Sequence, residues 1–263
     1  MLHLLKIEWL KIKNYRAFWL FAILYLVSIF VVNYFAWFAQ QRLYESLPMT
    51  EQILKNAYVF PRVWKTVGWI NSWLLYFPGM LMIMLMVNEF NFKTHRQNVI
   101  DGLSRQQFIN VKLMICILLA LVITLINIAT GFIFGSITQG NFRWEGFEYI
   151  GYTFLQTIVY IFFALMLAVL LRRSGVAIIV FILYGLIFEW LITALVTFKL
   201  HWAPAAYFLP LEVTDVIIPL PFGDEAISLY PSVPAVGILL ATIAAYIFLY
   251  VFFTRKKFVT DDL

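Results

Sequence analysis

An all-α fold in which six helices cross a membrane is what this sequence predicts, and three observations carry that prediction. The chain is 63% hydrophobic and only 13% charged, whereas a soluble domain is nearer half apolar and a quarter charged. Its apolar residues gather into six runs of spanning length, about 20 residues each. These runs are continuous and do not alternate apolar with polar, which selects helices over barrel strands.

Taken in order, the chain opens with MLHLLKIEWLKIKNYR, a basic and amphipathic stretch suited to a membrane surface. The first span follows at 17–38. It is too long for a signal-peptide core and lacks a small-x-small cleavage site, so it is read as retained. Further spans are expected at 69–87, 111–137, 150–171, 176–198 and 233–254, making one membrane domain over 1–263. With the N-terminus inside, 13 of the 19 Lys/Arg fall on the inner side. The positive-inside rule then places both termini in the cytoplasm. The net charge of +5 therefore reads as an orientation signal rather than a nucleic-acid surface.

The loops differ in kind. Residues 172–175 form a tight inner turn, whereas 199–232 hold five of the nine prolines among many apolar residues. A solvated linker would not carry so many apolar groups, so short helices or a re-entrant dip are expected there. Asp224 and Glu225 read as a solvated outer turn. Cys116 is the single cysteine and lies inside an apolar run, which excludes a disulfide framework and a cysteine-based metal site.

The inner segment NEFNFKTHRQNVIDGLSRQQFINVK, residues 88–112, is a polar island between two spans. Thr94 and Gln97 have the spacing of a capping box, and Gly102 stands where a helix would stop in the left-handed conformation. Ser104 and Gln107 repeat the box and launch the third span. A short helix over 94–102 is expected, with Val99, Ile100 and Leu103 as its apolar contact and Arg96 and Asp101 as a polar rim. Two readings fit: a helix lying on lipid headgroups, or a docking element for a cytoplasmic partner.

The pattern L-x-x-E-x-x-K in LLKIEWLKIK, a second span ending in NEF, the basic KTHRQNVIDGLSR and the lysine opening the third span together resemble the membrane subunits of ABC-2 type transporters. The six spans, inside termini and long outer segment match as well. The resemblance implies a permease moving a substrate across the cytoplasmic membrane of a prokaryote, most simply by export. It implies that the N-terminal stretch, with Glu8 and Lys11, is an interfacial helix. It further implies that Thr94, Arg96, Val99, Ile100, Asp101, Gly102 and Leu103 couple the spans to a separate ATPase subunit. That subunit would bind ATP and Mg, and a second permease copy or a sister permease would complete the pore.

The chain itself carries no Gly-x-x-x-x-Gly-Lys-Ser/Thr loop to cradle phosphates. It has no His-Glu-x-x-His and no Gly-x-Ser-x-Gly, so no catalytic, cofactor or metal residues are assigned and an enzyme is not expected. The rival readings are an ion-coupled secondary transporter and a non-transporting assembly factor. Glu189 is the one carboxylate deep in a span. It either faces the substrate path or a subunit interface, or is a carboxyl held by a polar neighbour such as Asn127 or Gln156. Gly131 and Gly135 form a Gly-x-x-x-Gly expected to serve close packing within the chain.

Overall fold

The computed structural model describes residues 2–47, 56–138, 141–199, 202–221 and 233–260. These residues are helical throughout their ordered elements, and no strand occurs among them. Helix α1 is Leu2–Lys13, too short to span a membrane, and α2, Arg16–Ser46, is the first helix long and apolar enough to do so. Helices α3, Val63–Ser72, and α4, Tyr76–Asn91, follow. The short α5 is Thr94–Ile100. Long helices α6, Arg105–Thr138, α7, Glu148–Leu171, and α8, Ser174–Lys199, come next. Short α9, Ala203–Ala206, and α10, Glu212–Val216, precede the last span α11, Val236–Thr260.

Five of these helices are long and apolar enough to cross a membrane, and α3 with α4 makes a sixth if the pair is one bent span. The run expected at 69–87 is thus two helices joined at 47°. Pro78 helps explain how the second half begins. It sits in the first turn of α4, where a missing N–H leaves no helical bond unmade. Hydropathy alone starts the span late because Lys65 lies in α3, yet that side chain is buried. Of the outer segment expected at 199–232, residues 200–201 and 222–232, with Asp224 and Glu225, lie outside the described residues.

Helix α7 is the hub. It packs on α3, α4, α6, α8, α10 and α11, so nearly every turn of it is buried, whereas α2, α8 and α11 turn broad apolar faces outward. Three amides tie α2, α3 and α6 together inside the apolar layer. Asn33 donates to Asn71 at 2.8 Å, and Asn71 donates to Asn127 at 2.6 Å. Such interhelical bonds act as glue where hydrophobic burial gives helices no reason to associate.

The Gly-x-x-x-Gly of α6 admits aromatic rings of the same chain. A Cβ on Gly131 would come within 2.8 Å of the Trp64 ring, and one on Gly135 within 2.6 Å of the Phe60 ring. Gly131→Val is expected to cost about 1–3 kcal/mol by overpacking. A lowered unfolding temperature in detergent is the readout. Gly151→Ala, whose added Cβ meets nothing within 4 Å, should leave that temperature unchanged or slightly raised.

Candidate functional site

The elbow between α4 and α6 is built by local chemistry. Lys93 takes a left-handed backbone, φ +55°, and starts α5. Asp101 and Gly102 end it. Gly102 sits at φ +96°, and the N–H groups of Gly102 and Leu103 return to the carbonyls of Val99 and Asn98 at 3.1 and 3.0 Å. This is a Schellman stop, which needs a residue free to adopt positive φ. The second box closes reciprocally: Ser104 N–H donates to Gln107 Oε1 at 3.0 Å, and Gln107 N–H donates to Ser104 Oγ at 3.1 Å.

The first box does not form. Thr94 is the first helical residue rather than the cap, and its hydroxyl donates to the Glu89 carboxylate. Gln97 instead reaches Asp101 Oδ1 at 3.1 Å. Lys93 holds the cap position and the Gln97 N–H bonds the Lys93 carbonyl at 3.3 Å, so the Thr94 hydroxyl has no amide to accept from and donates to Glu89, whose ionised carboxylate makes a strong acceptor.

Glu89 is the centre of a larger arrangement. Its Oε1 accepts from Lys112 at 2.7 Å and from Lys11 at 3.2 Å. Lys112 also donates to Glu8, and Lys11 donates to Glu8 at 2.8 Å. Two carboxylates and two ammonium groups therefore close a neutral ring that joins α1, α4 and α6, with Thr94 hanging α5 from it. Glu8, Glu89 and Lys112 are buried. Burial works against the Lys11 charge, but Glu8 and Glu89 outweigh it and hold its pKa above the ordinary lysine value. His95 adds a further tether. Its Nδ1 lies 2.7 Å from the Glu89 carbonyl, which can only accept, so Nδ1 carries the proton. Its ring stands 5.1 Å from that of Phe90.

The expected apolar set of α5 is divided. Leu103 packs against the protein's own core, Val99 is half-buried, and Ile100 is 77% exposed. The fold needs His95 and Leu103 on the inward side, so the outward side is left with Ile100, Arg96 and Lys93, beside Phe92 at 74% exposed. Asp101 is exposed at the end of this face.

A family model described as ABC-2 family transporter protein matches residues 4–188. The chain belongs to the ABC-2 transporter family. It is a multi-pass membrane protein and a transporter permease subunit. The match runs from α1 through the elbow to the first half of α8, so the ring of Glu8, Lys11, Glu89 and Lys112 lies inside the family region. Comparison with curated proteins gives no match.

Glu189 falls just beyond the matched region of this ABC-2 permease. It follows a wide π-helical turn, Tyr184–Phe188, in α8, and it is buried. Its Oε1 accepts the backbone N–H of Leu211 at 2.7 Å and of Glu212 at 3.1 Å, so it caps the start of α10. Neither suggested side-chain neighbour holds it: Gln156 donates to Asp215 at 2.7 Å, and Asn127 is engaged with Asn71. Tyr160 donates to Asp215, and Tyr246 donates to the Phe208 carbonyl at 2.7 Å. Residues 202–221 are thereby pinned to α7, α8 and α11. Glu189→Ala should leave the buried Leu211 N–H and the part-buried Glu212 N–H without their acceptor, costing roughly 1–3 kcal/mol for the buried one, whereas Glu189→Gln keeps an acceptor oxygen. Unfolding temperatures should therefore order as wild type, then Gln close behind, then Ala. A Gln variant as unstable as Ala would show that the charge itself, not the acceptor, matters.

Glu89, Lys112 and His95 enter the sequence reading only as parts of the family pattern, and none of the three is assigned a role there. A signal existed for two of them: opposite charges at the facing ends of consecutive spans, each inside or beside an apolar run, which must be paired if buried.

Proposed function

We propose that this permease is the membrane half of an exporter driven by a separate ATPase, and that the ATPase seats on α5 in the cytoplasm. The observation that supports the reading is the two-sidedness of the elbow. Its inward side is tied through Glu89 to α1 and α6, while its outward side offers Ile100 and Phe92 between Lys93 and Arg96. A partner gripping the outward side moves α1 and the two membrane helices α4 and α6 together, because the ring ties α5 to all three. Both termini lie with α5 on the cytoplasmic side of a prokaryotic inner membrane, where the basic residues gather. A second permease copy or a sister permease stands alongside, and substrate leaves at the interface between them. ATP and Mg bind on the ATPase.

The test is purification of the tagged chain from its native membranes in mild detergent. An ATPase polypeptide with a phosphate-binding loop should co-purify in stoichiometric amount. A chain that reaches the membrane folded, and purifies without one, would contradict the reading.

A further inference from the structure

A second site lies at the same end of the bundle, on the far side of α6 from the ring. The start of α6 and the end of α11 enclose a cleft of about 420 Å³. Its walls are fixed to one another. Arg105 donates to the Val259 carbonyl at 2.8 Å, and the rings of Phe108 and Phe258 stack with centroids 5.0 Å apart. At the rim stand Arg255 and Lys256, both exposed, with no carboxylate partner among the described residues. Inside, Gln106 and Asn110 supply polar groups, and Asn110 Oδ1 is buried with no hydrogen-bond partner. Toward the middle of the bilayer the cleft is lined by Phe248 and Phe252, which are exposed and stacked on each other.

We propose that this cleft binds one anionic phospholipid with a hydroxylated head, of the phosphatidylglycerol type, from the leaflet at the basic end. Each part of the cleft matches a part of that molecule. Two cations with no carboxylate partner among the described residues, one of them (Lys256) resting over the Phe252 ring at 5.9 Å, suit a phosphate beside a membrane, and basic pockets between spans are a recurring way to hold anionic heads. An acyl chain lies along Phe248 and Phe252. The orphan Asn110 oxygen is closed to the cleft until its side chain turns; once turned it can only accept, so a glycerol hydroxyl satisfies it and an ionised phosphate does not. A buried acceptor left without a donor costs stability, and the lipid removes that deficit. Bound there, the lipid bridges α6 and α11 beside the elbow. The inference does not depend on which partner docks on α5.

Native mass spectrometry of the full-length chain, stripped of lipid and titrated in detergent, tests the site. Phosphatidylglycerol should form a persistent single adduct, and phosphatidylcholine with the same chains should not. Arg255→Ala/Lys256→Ala should lower phosphatidylglycerol affinity about 30-fold, which at 1.4 kcal/mol per factor of ten is about 2 kcal/mol. Asn110→Ala should erase the preference for phosphatidylglycerol over phosphatidic acid, which lacks the hydroxyls. Equal binding of the glycerol and choline lipids, unchanged affinity in the double variant, or an unchanged preference in Asn110→Ala would each overturn the assignment. So would displacement of the lipid by inorganic phosphate at equal concentration, since that would mark a site for free anions.

Discussion

Lys112→Met is expected to destabilise the permease by about 3–5 kcal/mol, the cost of removing one partner from a buried ion pair. Lys112 is shared by Glu8 and Glu89, and both carboxylates are buried. Without it the ring holds two carboxylates against the single ammonium of Lys11. The chain can then protonate one of them or open α1 to water, and either response loosens the connection between α1 and α5. Adding Glu8→Gln restores neutrality, leaving Lys11 against Glu89, so the double variant should recover part of the loss. Thermal unfolding in detergent reads the stability, and a spin label on α1 reads its mobility. A Lys112→Met protein that melts with wild type would show that the ring carries no such share of the energy.

The parts of the elbow legible in the sequence are those decided within a few residues. Gly102 reads as a left-handed stop because the preference of glycine for positive φ is intrinsic, and the structure puts it there. Ser104 and Gln107 read as a box for the same reason: their partners are each other. Thr94 has the same spacing to Gln97, yet the left-handed Lys93 takes the cap position and the Thr94 hydroxyl donates to Glu89. The ring closes over contacts 78 and 104 residues apart in the chain, which no local pattern encodes. Glu189 is similar. Its rarity in a span marks it at once, but its partners are backbone N–H groups 22 and 23 residues away, and a backbone donor leaves no trace in residue type. The second span fails differently. A hydropathy window cannot register a 47° bend or a buried lysine on its near side.

Ile100 carries the second large effect. It makes little contact with its own chain, so Ile100→Asp should leave folding and insertion intact. In a complex that buries it, the substitution removes a contact worth roughly 1.5–3 kcal/mol and places a charge in an apolar seat. Association with the ATPase should fall at least about tenfold, since 1.4 kcal/mol is a factor of ten.

The most direct measurement of that contact is a comparison of ATPase recovered with the tagged wild-type chain and with Ile100→Asp, at equal amounts of folded permease in the membrane. The account predicts near-complete loss of the ATPase from the variant. Recovery at wild-type stoichiometry would contradict it, leaving α5 a helix that lies on lipid.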